Sequence, residues 1–538
     1  MRNALTIAEL QSIIVDYILA DDSSGRKTVA ALARSCRTLH ESAVRALWRE
    51  LPSLAPLLHC MPSDLFLQGT SLRLGRPLRT SDWTRVHKYA AHIAILHFQS
   101  TWKRQSRCRF PTISPSAFAA LANGISADCL LPNLRALTWD PHYREEESVF
   151  SFVEQLLAGS LTSLTLRVLT SSQSTAPRIL RLLPSRCPSI QSLVIEYEGL
   201  NEDISEAIAE CTYRLRQLRE CEVYAPAADV ALNHLAGLPH LRSLTVWQCP
   251  HAPSLQSTSL SPTVLDSFAA LEEISIRTEH ITACTTLARL ISSHKMKSIT
   301  FTYNEWASAS LLRGCTRALS HLRRPSSLTT LSIALDKDAE VPINLPDAVV
   351  DDSLFRPLLV FSSLEIFELD PHCSFAIDDR LVETIAARWP RLRSLELMPQ
   401  RCLANTSRLT LNGLVPLVKN CPRLKTLCVP LEEHVSEPSL ERVQGLHSDN
   451  ITTLVVVSNT VEEPASVILF LAHLFPRLQV IENWAESEEE GTMSPWDAIE
   501  TIVRGINYAF PSEARGKEGR LLKGQLACLM RKWMRSFT

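Results

Sequence analysis

Residues 410–429, "TLNGLVPLVKNCPRLKTLCV", end on a phrase that the chain uses elsewhere. "CPRLKTLCV" has counterparts in "CPSIQSLVI" ending at Ile195, "LPHLRSLTV" ending at Val246 and "WPRLRSLEL" ending at Leu397. Its skeleton is an apolar residue, two others, an apolar residue, one other and an apolar residue. That skeleton runs from Ile93/Leu96/Phe98 to Ile451/Leu454/Val456, with a degraded copy at Leu478/Ile481. Fourteen copies follow one another, with steps from 23 residues (Cys221 to Leu244) to 41 residues (Leu96 to Leu137). The mean spacing, roughly 30 residues, is that of a solenoid.

The last two apolar positions of each copy alternate, as in a short strand with one buried face. Between copies lie "ESVFSFVEQLLAG", "EDISEAIAEC", "ITACTTLARLISSH", "RLVETIAARW" and "EEPASVILFLAHLF", each with an apolar helical stripe. One strand and one helix cannot bury their own apolar faces, so neighbouring units must stack. At about 150 residues per domain, 538 residues suggest three or four domains; the period argues instead for one array. The phrase resembles the core of the leucine-rich-repeat family, L-x-x-L-x-L-x-x-N/C, whose closing residue is matched at Cys249, Asn304 and Asn459. The opening stretch resembles the cysteine-containing subfamily through Gly413, Leu414, Leu417, Cys421, Pro422 and Leu424. The resemblance implies an α/β fold, a leucine-rich-repeat solenoid curved as a horseshoe, with about 14 irregular repeats over residues 93–483.

Composition narrows the function. Hydrophobic residues make up 45% and charged residues 21%, as in a globular protein. Lys plus Arg (55) nearly balance Asp plus Glu (57), so nothing marks nucleic acid as a partner. No uncharged apolar run reaches the roughly 18 residues a bilayer span needs, and Glu9 and Asp16 interrupt what would be a secretory signal. The fifteen cysteines include no C-x-x-C pair and read as small buried hydrophobes in a reducing compartment, cytoplasmic or nuclear. Sequons at Asn405 and Asn450 read as chance patterns. The histidines lack metal-ligand spacing, and the motifs of hydrolases, phosphate-binding loops and dinucleotide sites are missing. Ser292 begins a formal Ser-x-x-Lys in a turn with no companion motif. The expectation is no catalytic residue, metal or cofactor, and a protein that is not an enzyme.

The repeats are a surface, so the first residues carry the clue to function. Ile7, Leu10, Ile13, Ile14 and Tyr17 share one helical stripe, broken by "DDSSG". Val29, Leu32, Ala33, Cys36 and Leu39 form a second, and Val44, Leu47 and Trp48 a third. Three short helices bury little surface alone and tend to lean on a neighbour. This stretch resembles an F-box, through Ile7, Glu9, Leu10, Ile13 and Ile14 at the opening and "LARSCRTLH" for L-x-x-V-C-R-x-W. Ala8 and Leu39 stand where the family usually has proline and tryptophan. "ALWRELPSLAPLLHCMP" and "DWTRVHKYAAHIAILHF" (Asp82 to Phe98) resemble the exit and connector of a large group of fungal F-box proteins. The resemblance implies a substrate receptor whose residues 1–62 dock onto the Skp-type adaptor of a cullin-RING ubiquitin ligase, a monomer apart from that complex. Ile7, Leu10, Ile13, Ile14, Leu32, Cys36, Leu39 and Trp48 are the adaptor-binding candidates. The alternative is a repeat scaffold whose first helices only cap the array.

Residues 63–92 read as a connector. Within the array, strand positions between the leucines are expected on the concave side, where a target protein would bind: Arg167, Glu196, Trp247, Arg277, Glu368, Asp370, Glu396 and Thr426. The basic stretch Trp102 to Phe110 and the Pro/Ser-rich stretch Pro250 to Thr263 read as loops. Residues 484–538 read as an acidic turn ("ESEEEG"), a helix starting at Ser494-Pro495 and a basic amphipathic tail from Arg520 covering the end of the array.

Overall fold

The computed structural model describes residues 7–21, 24–67, 69, 71–99, 112–125, 129–140, 147–169, 172–197, 199, 201–224, 232, 234–247, 267–339, 347–398, 406–458, 460–484 and 495–509. Residues 102–110, 250–263 and 486–491, the tail from Arg520, and Cys249, Asn405 and Asn459 lie outside them. The chain divides into two compact units, residues 1–241 with 245–253 and residues 242–244 with 254–538.

The first unit opens with three helices, α1 (Ala8–Leu19), α2 (Gly25–Ser35) and α3 (His40–Arg49). Their small core is Val15, Val29 and Ala43, flanked by Ile18, Leu19, Ala33, Ala46 and Leu47. A Cβ on Gly25 would lie 2.3 Å from the Ile18 carbonyl oxygen, so the α1–α2 turn closes this tightly only with glycine. From α3 the chain passes into the short strand Glu50–Leu51, which pairs in parallel with Ile95–Leu96. Sheet pairing therefore begins inside the segment read as the N-terminal box.

Each copy of the phrase forms a strand. In the first unit Ile95–Gln99, Ala136–Asp140, Ser163–Val168, Ser192–Tyr197 and Glu220–Tyr224 pair in parallel and in chain order. Their register aligns Leu96, Leu137, Leu164, Leu193 and Cys221, all buried. Ser243–Trp247 lies where the units divide. In the second unit the order is Glu273–Thr278, Ser298–Tyr303, Thr330–Leu335, Ile366–Asp370, Ser394–Leu397, Thr426–Pro430, Thr453–Val457 and Val480–Asn483. Here Ile274, Ile299, Leu331, Phe367, Leu395, Leu427, Leu454 and Ile481 form the buried row. Both units are leucine-rich-repeat arrays, one parallel strand to each repeat.

The residue after the first apolar position of the phrase begins the hydrogen bonding. Lys297 N donates to Glu272 O (2.7 Å), Thr329 N to Lys297 O (2.8 Å), Glu365 N to Thr329 O (2.7 Å) and Arg393 N to Glu365 O (2.7 Å). The same step continues through Lys425 and Thr452 to Gln479. A loose period survives because only the phrase must stay in register; the intervening lengths change without breaking this ladder. All five segments with an apolar stripe contain helices, Glu147–Ser151, Glu202–Arg214, Ile281–Leu290, Asp379–Arg388 and Pro464–Leu474. Cys421 of the opening phrase is buried, and its thiol donates to Trp389 O at 3.4 Å. Burial pushes its pKa up to about 11, so it packs as a hydrophobe and offers no thiolate. The helix Pro495–Ala509 packs Trp496, Ile499 and Val503 inward and takes part in covering the last strand, Asn507 Nδ2 donating to Phe475 O and Leu478 O (both 3.2 Å).

Candidate partner-binding surfaces

The candidate residues lie in the helices of the first unit and on the strands of each unit. In α1 the core takes Val15, Ile18 and Leu19. The other side of the same helix leaves Ile7 46%, Leu10 38%, Ile13 63%, Ile14 37% and Tyr17 82% exposed. The helix is thus apolar on two faces, of which the three-helix core uses one. Sequence reading found the exposed stripe and missed the buried one, although Val15, Ile18 and Leu19 also fall at helical spacing.

The remaining candidates of the box are placed differently. Leu32 and Cys36 are half-buried, and Leu39 is 7% exposed. Trp48 is half-buried and stacks on Tyr89 of the connector, ring centroids 4.6 Å apart. Polar contacts fix the helices to one another: Ser42 Oγ donates to Gln11 Oε1 (2.9 Å), and Arg26 Nη2 donates to Leu47 O (3.1 Å) and Glu50 O (3.2 Å). In the connector, Arg76 donates to Asp82 at 2.8 and 3.0 Å and to Asp64 at 2.7 Å. The Arg76 guanidinium holds the Asp82 carboxyl down to about 2, and the Arg79 backbone N–H adds to this.

On the sheet, the candidates alternate with the buried row and stay partly accessible. In the first unit Arg167 bridges two neighbouring strands, 3.6 Å from Asp140 and 3.8 Å from Glu196. Trp247 Nε1 donates to Glu222 Oε1 at 3.0 Å, which orients the indole. In the second unit Arg277 meets Asp336 at 2.6 Å and lies 3.4 Å from Asn304 Oδ1. Ser332 Oγ donates to Glu368 (2.8 Å) and Ser394 Oγ to Glu396 (2.5 Å). Asp370 is largely buried; desolvation, and next the charge of Glu368, raise its pKa to about 6. His372 lies 3.8 Å away, but burial lowers its own pKa, so the pair is not an ion pair at neutral pH.

Two chemistry-bearing groups have plain structural roles. Ser292 Oγ donates to Ser267 O at 2.6 Å and closes a turn beside the neighbouring repeat. Glu279, His280 and Glu305 are the one described group with metal-type donor atoms within 4.8 Å of one another; His280 Nδ1 already meets Glu305 Oε2 at 2.8 Å. Among the described residues, no helix is long and apolar enough to cross a membrane.

No family model and no curated protein matches the chain. Among solved structures it is similar to a chain of the Rad7 and Elc1 complex in yeast, at 15% identity over 68% of this chain and 79% of that one, TM-score 0.36. It is also similar to the leucine-rich repeat-containing protein LegL7 from Legionella pneumophila, at 12% identity over 70% and 99%, TM-score 0.29.

Proposed function

We propose that the chain is a substrate receptor of a cullin-RING ubiquitin ligase, its first helices docking onto the Skp-type adaptor and its repeats holding a target protein. The observation that carries this reading is the second apolar face of α1. Ile7, Leu10, Ile13 and Ile14 stay exposed on a unit whose own core is only a handful of side chains. Covering that face would remove apolar surface from water at about 25 cal/mol per Å². The chain then does no chemistry itself; it raises the concentration of target lysines near the transferring enzyme.

A plain repeat scaffold is the second reading, favoured by the continuity of Glu50–Leu51 with the sheet and by the Trp48–Tyr89 stack. These contacts are what a cap requires. They use α3 and the strand that follows it and leave α1 open, so capping and docking occupy different faces. Co-expression of the full chain, and of residues 63–538, with the Skp-type adaptor tests the proposal. Co-purification of the full chain alone supports docking; a folded full chain that fails to co-purify leaves the scaffold.

A further inference from the structure

The second unit holds a cleft of about 360 Å³ among its helices. Three successive segments wall it: Asp379–Arg388, the 3-10 helix Leu411–Leu414 running into Val415–Asn420, and the 3-10 helix Leu440–Val443. The space follows from the uneven repeat. The first helix has 10 residues, the second 6 and the last turn only 4, so the later repeats bring fewer side chains to cover the first. Gly413 adds none, and Val415 and Pro416 supply the apolar part of the lining. The volume is at the small end of ligand pockets, which run from roughly 300 to 1,000 Å³. It suits one small molecule.

The lining carries both signs of charge and does not neutralise itself. Asp379 and Glu383 stand one helical turn apart on the same helix face. Lys419 and Arg442 come from the two segments that follow. The side chains of Glu383, Lys419 and Arg442 are exposed, and among the described residues none of them has a hydrogen-bond or ion-pair partner. Opposite charges on neighbouring repeats of this unit do meet elsewhere, as Lys297 with Glu272 at 2.6 Å and Arg393 with Glu365 at 3.0 Å. Here the cleft lies between them. Asn412 Oδ1 accepts from Ser439 N at 3.0 Å, which leaves its Nδ2 as a further donor. A simple anion would meet Lys419 and Arg442 but be repelled by Asp379 and Glu383, and a simple cation the reverse. A divalent metal does not fit, because neither carboxylate belongs to a described group of three donor atoms within 4.8 Å of one another. A molecule carrying both charges on a short frame satisfies both sets, and an aliphatic side chain on it would meet Val415 and Pro416.

We propose that this cleft binds a free aliphatic α-amino acid, its ammonium group facing Asp379 and Glu383 and its carboxylate facing Lys419, Arg442 and the Asn412 amide. The site goes beyond the receptor reading and does not depend on it. It is tested by titration calorimetry of the full chain with L-leucine. Two analogues each lack one charge: isocaproate, which is leucine without its amino group, and isoamylamine, which is leucine without its carboxylate. Leucine binds, and both analogues bind at least about tenfold more weakly, because each leaves one set of charges unpaired. Lys419→Gln/Arg442→Gln loses affinity for leucine and for isocaproate, and Glu383→Gln loses it for leucine and for isoamylamine. All three positions are exposed, so circular dichroism of each variant should match the parent. No binding of leucine to the folded chain overturns the proposal. So does equal affinity for leucine and either analogue, or unchanged leucine affinity in Lys419→Gln/Arg442→Gln. Failure of adaptor co-purification would fell the receptor reading and leave this result standing.

Discussion

Trp48 of α3 lies over Tyr89 of the connector with ring centroids 4.6 Å apart and planes 17° from parallel. The stack ties the three-helix unit to the first repeat, beside the pairing of Glu50–Leu51 with Ile95–Leu96. Such a pair contributes about 0.5–1.5 kcal/mol beyond its area. Trp48→Ala is expected to lower the stability of the first unit by roughly 2–3 kcal/mol. Hydrogen exchange should rise in α1–α3 and stay unchanged in the second unit, and a uniform rise along the chain would contradict this.

Asp82 is 3% exposed, and its pKa is held near 2 by Arg76. A depressed carboxylate pKa adds stability that is present above its unfolded value, near 4, and lost as pH falls through the folded value. The first unit therefore weakens between pH 4 and pH 2. Asp82→Asn should be less stable at pH 7 and should lose this part of the acid dependence, read by thermal melts across that range.

Asp370 has the opposite sign. Its pKa, raised to about 6 by burial and by Glu368, means that its contribution is fully present below pH 4 and is lost as pH rises through 6. The surrounding groups are Glu368, Lys337, His372, the Tyr303 hydroxyl and the Cys428 thiol. Asp370→Asn should gain stability at pH 8 by up to about 3 kcal/mol and show a flatter profile between pH 4 and 6. A variant less stable than the parent at pH 8 would contradict this assignment.

Gly413 of the opening phrase faces Asp379, whose carboxylate accepts from Thr410 N and Thr410 Oγ1, both at 2.8 Å. A Cβ at position 413 would fall 2.3 Å from Asp379 Oδ1 and 2.6 Å from Leu409 Cδ1. Gly413→Ala should cost roughly 1–3 kcal/mol, and much less in an Asp379→Ala background, where part of the clash is gone. Additive losses in that double-mutant cycle would contradict the contact.

The repeats were legible because burial of alternate residues leaves a mark that fourteen copies make hard to miss. Leu395, Leu427 and Leu454 are apolar because each faces the core, whatever lies between them. Position along the strand also told which residues, such as Glu396, stay partly accessible. What sequence did not reveal depends on which side chains the stacking brings together. Asp140, Arg167 and Glu196 are separated by 27 and 29 residues and meet only through parallel register. Likewise, Glu50–Leu51 carries no copy of the phrase, yet it becomes a strand because the backbone of Ile95–Leu96 would otherwise form an open edge. The buried face of α1, Val15 with Ile18 and Leu19, was missed for another reason: an apolar stripe looks the same whether a core or a partner covers it.

The central claim is that α1 docks onto an adaptor through Leu10 and Ile14. The most direct measurement is adaptor binding by the full chain carrying Leu10→Asp and Ile14→Asp, with circular dichroism and thermal melting to verify its fold. Both residues point away from Val15, Val29 and Ala43, so the account predicts a folded variant that no longer co-purifies with the adaptor. A folded variant that binds the adaptor as the parent does would contradict it.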